Sequence, residues 1–276
     1  MNNGFQFHAS AAGVSGEITV PFTDVIEVQA PSALPATGGY SRGHADQFKY
    51  KEIFSFQSAN TQVTGSFSKD TNSWDTLMTS TVAGLDIMGM VQADLIVARL
   101  ASRHVVGDKE PSIIPLGSHF EGLRIAGVPV EVKLLTGTYT KLDSFTKVSE
   151  EYKKEGDFKK TFDTVNFVAD QGNVPEEHRR YFPWCSRKGA AEIPQQNGSI
   201  QTSMVESLDY KTDAFSNTGC VIDLPQFGKI ILGQLTIDQQ LRRLTMLQVD
   251  LGCSVCGRLM AGGGETNGTP TPPPPH

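Results

Sequence analysis

Two stretches of this 276-residue chain alternate apolar and polar side chains with period two. They are SGEITVPFTDVIEVQA at residues 15–30 and FKYKEIFSFQSANTQVTGSF at residues 48–67. Because successive side chains of a strand point to opposite faces, this period predicts half-buried β-strands in both places. The segment between them, PSALPATGGYSRGHADQ, has the glycine, proline and polar content of turns and loops.

A short motif, G-x-x-I-x-G, occurs at Gly84–Gly89 and at Gly122–Gly127, and more weakly at Gly228–Gly233. Chance similarity of short Gly/Ile patterns is the alternative to a true repeat. As a repeat, the motif predicts a hairpin used three times, each strand being bounded by glycine turns or bulges. We therefore expect turns or bulges directly after a strand at Gly89, Gly127 and Gly233. The positions expected to share a buried core are Ile87, Ile125, Ile231, Leu247, Val249 and Leu251.

One helix is predicted over residues 144–156, where Phe145, Val148 and Tyr152 follow helical spacing. Strands dominate on both sides of this helix, and no regular β-α-β alternation occurs. The sequence therefore predicts an all-β fold with a minor helical insertion, either an antiparallel β-sandwich or a related β-rich fold.

The predicted organisation is a single β-rich domain over residues 1–260. It contains a helical or loop insertion at about residues 143–202, where the sequence turns polar and irregular. Residues 261–276 are predicted to form a flexible Gly/Pro-rich tail, because their composition favours polyproline and coil conformations over a packed core.

The net charge of −6 gives the chain no general attraction to nucleic acid or to anionic membrane. No apolar run approaches the length of a membrane span. The first twenty residues lack the basic and apolar regions of a secretory signal, so the expected location is cytoplasmic. A secreted or cell-surface location is the alternative if the chain is a mature form.

The motif Gly39-Tyr40-Ser41-Arg42-Gly43 matches G-x-S-x-G, which presents a nucleophilic serine in some hydrolases. No strand pattern precedes it and no helix pattern follows it, so a hydroxyl in a glycine turn is the preferred interpretation. No other catalytic constellation is present, and the chain is predicted not to be an enzyme.

The densest chemical cluster is the stretch HRRYFPWCSRK at residues 178–188. Interleaved basic and aromatic side chains can clamp an anion, stack on a sugar ring or anchor a protein interface. The alternative is a long connection pinned by its aromatic residues, with arginines paired to nearby acids. The candidate ligand-binding residues are His178, Arg179, Arg180, Tyr181, Trp184 and Arg187.

Cys253 and Cys256 form a C-x-x-C pair that resembles half of a zinc knuckle or a redox motif. No second knuckle accompanies it, and the glycine-rich sequence after Cys256 does not support the helix that redox motifs use. Alternation through residues 246–255 predicts that Cys253 is buried in a strand and that Cys256 lies at or beyond its end. We therefore predict no metal and no cofactor. Cys185 and Cys220 form a candidate disulfide in an exported protein.

Hairpin signatures occur in three stretches, TSTVAGLDIMGMVQADLIVARL, GSHFEGLRIAGVPVEV and LRRLTMLQVDLGC, about 50 residues in all. These stretches resemble uncharacterised bacterial all-β surface proteins of the "choice-of-anchor" kind. The resemblance lies in hairpin signatures, and it implies a secreted or surface β-domain with structural or adhesive duties. It implies no catalytic residues.

The leading functional hypothesis is a non-enzymatic β-sandwich with a structural or interaction role, including self-association through exposed strand edges. The first alternative is a binding module for carbohydrate or anion that uses the 178–188 loop. The second alternative is a hydrolase with a dispersed site that uses Ser41 or unidentified carboxylates.

Overall fold

The computed structural model describes residues 4–166 and 199–270. Strands make up most of this part of the chain, and three short helices interrupt them. The strands are β1 (Phe5–Phe7), β2 (Ser10–Val20), β3 (Asp24–Gln29), β4 (Ser32–Ala33), β5 (Gly39–Tyr50), β6 (Phe54–Ser68), β7 (Ser73–Ile87), β8 (Val91–Val105), β9 (Ser112–Ile114), β10 (His119–Glu121), β11 (Arg124–Ile125), β12 (Val128–Pro129), β13 (Glu131–Leu134), β14 (Ser199–Ser203), β15 (Val205–Asp209), β16 (Ser216–Thr218), β17 (Val221–Leu224), β18 (Gly228–Asp238), β19 (Leu241–Cys253) and β20 (Val255–Pro270). The helices are α1 (Thr136–Lys141), α2 (Phe145–Lys153) and α3 (Asp157–Asn166).

Most of the strands form two large antiparallel sheets that pack face to face, and β13 and β15 form a separate two-stranded sheet. The ten-stranded sheet has the order β16-β17-β18-β19-β20-β2-β3, with β14 beside β18, β1 beside β20 and β4 beside β2. The eight-stranded sheet has the order β12-β11-β8-β7-β6-β5, with β9 and β10 beside β8. Strands β2 and β20 pack across the core on β6, β7 and β8. The predicted all-β fold with a minor helical insertion is confirmed.

The alternation of buried and exposed positions reverses within each long strand of the eight-stranded sheet. In β6, Phe54 and Phe56 are buried before the reversal, and Ala59 and Val63 are buried after it. The reversals fall in one row across neighbouring strands, at Gln47, Gln57, Gly84 and Asp94. Alternate members of the row are left-handed, with φ of +48° at Gln47 and +61° at Gly84. Such residues shift the side chains of a strand by one position, as in a β-bulge.

The ten-stranded sheet contains an equivalent row, formed by Gly233, Met246, Gly262 and Gly13 on β18, β19, β20 and β2. Gly233 and Gly262 are left-handed, with φ of +62° and +65°. All four strands shift together, so the strands keep one pairing register on both sides of the row. We call these two rows the reversal rows.

Buried hydroxyls bind backbone carbonyls beside the reversal row of the ten-stranded sheet. Ser80 on β7 donates to the Ala12 oxygen at 2.7 Å, which joins the two sheets. Thr61 on β6 donates to the Ala30 oxygen at 2.7 Å, and Ser203 donates to the Leu232 oxygen at 2.8 Å. A buried carbonyl needs a donor, so these hydroxyls satisfy groups that point out of the sheet.

The G-x-x-I-x-G repeat is confirmed in two of its three copies. Both copies begin with a left-handed glycine and end in a type I′ turn, at Met88-Gly89 and at Ala126-Gly127, in which both residues have positive φ. The prediction for Gly233 is wrong, because this glycine lies inside β18. At this point the neighbour of β18 changes from β17 to β14, and the left-handed glycine marks that change.

The six positions predicted to share a core are all buried in one cluster, so that prediction is confirmed. Gln248 and Asp250 lie on the opposite face of β19 and are also buried. Gln248 donates to the Asp250 carboxylate at 2.9 Å, and Arg258 donates to it at 2.9 Å, so the buried charge is paired.

The predicted helix is α2, and its expected apolar residues Phe145, Val148 and Tyr152 are all buried. Ser144 caps it by accepting a hydrogen bond from the Lys147 amide at 3.3 Å. The buried Arg242 on β19 donates to the carbonyl oxygens of Tyr139 and Leu142 at the end of α1, which ties this helix to the sheet. Within residues 4–166 and 199–270, no helix combines the length and apolar character needed to cross a bilayer.

Two segments assigned to loops are strands. The predicted loop at residues 31–47 contains most of β5, and the predicted tail at 261–276 contains the second half of β20, whereas residues 271–276 lie outside the described residues. A Cβ on Gly264 would lie 2.3 Å from the Ser10 oxygen and 2.9 Å from the Met78 sulfur. The glycines of β20 therefore allow close packing. Their composition alone had predicted a coil for this segment.

We predict that Ser80→Ala lowers the free energy of unfolding by about 1–3 kcal/mol, because it leaves the Ala12 carbonyl buried without its donor. The control is Ser102→Ala on β8. The Ser102 hydroxyl is also buried but has no hydrogen-bond partner in the described part of the chain, so its removal should cost nothing. Urea unfolding followed by circular dichroism measures both values. Equal losses in the two variants would contradict the role given to Ser80.

Candidate functional site

The outer surface of the eight-stranded sheet carries a regular array of polar side chains, which we call the polar face. Tyr40, Arg42, His44 and Asp46 alternate along β5 on this surface. Strand pairing places them beside residues of β6, β7, β8 and β10 in cross-strand rows. The members of the polar face are Tyr40, Arg42, His44, Asp46, Asn60, Gln62, Thr79, Thr81, Arg99, His119 and Glu121.

Two rows contain most of the hydrogen-bonding groups. The first row is Arg42, Gln62, Thr79 and Arg99, on four adjacent strands. The second row is His44, Asn60, Thr81, Val97 and His119, on five adjacent strands. Because each side chain stands on a paired strand, its position is held by the sheet ladder rather than by a loop.

A depression of about 530 Å³ lies over the β5, β6 and β7 part of the polar face. Its lining includes Tyr40, Arg42, His44, Gln62 and Thr81. Tyr40 is 56% exposed, so one aromatic ring stands open to solvent at the rim. The depression therefore combines an exposed aromatic surface with amide, hydroxyl and guanidinium groups.

His44 is held at the β5 side of the depression by both ring nitrogens. Nε2 lies 2.6 Å from the Asp46 carboxylate, and Nδ1 lies 2.7 Å from the Asn60 side-chain oxygen. The hydrogen bond to Asp46, followed by the one to Asn60, raises the pKa of His44 above its ordinary value, because both acceptors favour the imidazolium. The stability linked to this pair is therefore present below the ordinary histidine pKa and is lost as pH rises through the raised value.

We predict that Asp46→Asn lowers the pKa of His44, because the carboxylate that stabilises the imidazolium is removed. The C2 proton of His44, followed by NMR over a pH series, reports this pKa directly. Asp75→Asn is the control, because Asp75 pairs with Arg103 on the same sheet and does not contact His44. A His44 titration that is the same in all three proteins would show that the Asp46 contact is absent in solution.

The sequence-predicted ligand loop, with His178, Arg179, Arg180, Tyr181, Trp184 and Arg187, lies outside the described residues. The structure therefore does not test this site. Sequence reasoning missed the polar face because each of its strands looks, taken alone, like an ordinary solvated surface. The available signal was the alternation of polar residues along 40–46 and 58–64, which acquires meaning only once the strands are paired.

Ser41 lies within β5 opposite Val63, so it is neither in the predicted glycine turn nor at a strand–helix elbow. Its strand alternation places it on the opposite face from Arg42 and His44. The segment escaped prediction as a strand because its inner side carries small residues. At Gly43 a Cβ would lie 2.4 Å from the Pro31 oxygen, so backbone rather than an apolar side chain packs there.

The C-x-x-C pair lies in the tight connection between the last two strands. Cys253 ends β19, Ser254 is left-handed with φ of +48°, and Cys256 on β20 pairs with Gly252 on β19. The predicted positions of both cysteines relative to the end of the strand are confirmed, but the side chain of Cys253 is not among those described. Burial raises the pKa of the Cys220 thiol to about 11, and its candidate partner Cys185 lies outside the described residues.

No group of three histidine, cysteine, aspartate or glutamate side chains comes together in the described ranges in a way that could hold a metal ion. Comparison with known protein families gives a match. The model of a family described as "Domain of unknown function (DUF8256)" matches residues 5–238. Neither a curated protein nor a solved structure matches the chain.

Proposed function

The chain belongs to the DUF8256 family, and we propose that it is a non-enzymatic β-sandwich binding module whose polar face holds a carbohydrate. The observation that carries the proposal is the depression lined by Tyr40, Arg42, His44, Gln62 and Thr81 on paired strands. Sugars present vicinal hydroxyls on one side and C–H groups on a ring face. The polar face offers partners for both.

Side-chain chemistry supports a hydroxyl-rich ligand. Amides and guanidinium groups offer several hydrogen-bond donors, and the threonine hydroxyls can donate or accept. In the described part of the chain, the side chains of Arg42 and Gln62 have no hydrogen-bond partner, so their groups are available to a ligand. The exposed ring of Tyr40 supplies the apolar surface against which a sugar ring can stack.

A sheet edge is a weaker candidate for ligand or partner binding on this side of the molecule. The edge strand β5 carries Arg42, His44 and Asp46 and contains the left-handed Gln47. Charged side chains and bulges protect edge strands from pairing with another chain. Self-association through strand edges stays a prediction. The edge strand β3 is better suited to self-association, because its Val25 is 71% exposed. Sedimentation of the purified chain measures whether it self-associates.

We predict that the purified chain binds members of a glycan array and that Tyr40→Ala weakens the strongest interaction about tenfold, because it removes the stacking ring. Phe67→Ala is the control, since Phe67 is also an exposed aromatic residue but does not line the depression. Titration calorimetry with the best glycan measures the affinities. Absence of binding to any glycan, or equal losses in the two variants, would overturn the proposal.

A further inference from the structure

We infer that the polar face takes an acidic polysaccharide, whose carboxylates bind Arg42 and Arg99. The inference rests on the proposed function, and it specifies the chemical class of carbohydrate. Acidic and basic side chains on this side of the eight-stranded sheet are unevenly paired, although the chain as a whole is acidic.

The two carboxylates of the polar face each lie beside a histidine, and two carboxylates near them each pair with an arginine. Asp46 lies 2.6 Å from His44, and Glu121 lies 3.1 Å from His119. Beyond the two rows, Asp94 pairs with Arg124 at 3.1 Å and Asp75 pairs with Arg103 at 2.9 Å. These four carboxylates therefore already have partners within the protein.

Arg42 and Arg99 have no carboxylate partner in the described residues. Arg42 makes no ion pair there, and the Arg99 side chain donates only one hydrogen bond, from Nε to the Thr79 hydroxyl at 3.3 Å. Both side chains are exposed. A guanidinium group presents a planar fork of donors that matches a carboxylate in a bidentate arrangement. These two arginines therefore leave uncompensated positive charge and unused donors directed at solvent.

The spacing of the two arginines indicates an extended ligand. Arg42 and Arg99 occupy the ends of one row across four adjacent strands. Three strand separations place their backbones about 14 Å apart. One sugar ring does not cover this distance, so two carboxylates would come from different residues of one chain. Gln62 and Thr79 lie between the arginines and can bind the hydroxyls of the intervening sugar.

The test uses the full chain with three polymers: polygalacturonate, a neutral galactan and polyglutamate. We expect polygalacturonate to bind most tightly and its affinity to fall as salt is added, because salt screens exposed charge pairs. Arg42→Gln and Arg99→Gln should each weaken it about tenfold or more, since each removes a charged hydrogen-bonding group. Arg103→Gln is the matched control, because Arg103 lies on the same strand as Arg99 but is already paired with Asp75.

Each alternative result has a distinct meaning. Galactan binding that equals or exceeds polygalacturonate binding, unaffected by the two arginine variants, would overturn the acidic specificity and leave the carbohydrate function standing. Binding of neither polysaccharide would overturn the acidic-polysaccharide inference, whereas the carbohydrate function would then be decided by the glycan array. Polyglutamate binding as tight as that of polygalacturonate would show that charge alone is recognised, and it would overturn the acidic-sugar assignment. An equal loss of polygalacturonate affinity in Arg103→Gln would contradict the specific role given to Arg42 and Arg99.

Discussion

The reversal rows are the constraint on which the rest of this sandwich depends. Side chains of a strand alternate with a period of two, so a shift of one position turns every apolar residue from the core to the solvent. A shift in β6 alone would expose Ala59 and Val63. Because neighbouring strands shift in the same row, the core stays continuous across the break and the ladder keeps its register. Left-handed residues at alternate strands, such as Gly84 and Gly262, make the shift sterically accessible.

The same constraint determines where the polar face lies. All polar-face residues on β5, β6 and β7 lie on the same side of this reversal row, as Arg42, His44, Asn60 and Thr79 show. On this side of the row, even-numbered residues of β5 and β6 and odd-numbered residues of β7 point outward. On the other side of the row, residues of the same parity point into the core. On β6, for example, Phe56 is buried whereas Asn60 is exposed. The polar face is therefore bounded on one side by its reversal row, and its shape is a consequence of how the core is kept closed.

The sequence predicted the features whose physical cause is local. Helix α2 was found because Ser144 caps it and its apolar spacing is contained in one segment. The type I′ turn at Met88-Gly89 was found because its conformation depends on the glycine itself. Features that depend on distant partners were missed. The glycine-rich half of β20 forms a strand because Gly264 fits against β2, and no pattern within that segment indicates this neighbour.

The polar face is a feature that depends on distant partners, because its rows exist only after β5 to β8 are paired. Thr79 and Thr81 alternate with buried residues in an otherwise ordinary strand, and Arg42 lies in a segment that looked like a loop. What could be predicted was that polar residues alternate there. Their assembly into one binding surface required the register.

Cysteine labelling on β2 tests the reversal most directly, in a chain whose four native cysteines are replaced by alanine. Ala11 and Ser15 have the same parity, so in a regular strand they would point to the same face. In this structure Ala11 is buried in the core, whereas Ser15 lines a groove on the outer face of the ten-stranded sheet. We expect a water-soluble thiol reagent to modify folded Ser15→Cys rapidly and to modify Ala11→Cys only after unfolding. Equal reactivity at the two positions in the folded protein would contradict the reversal row.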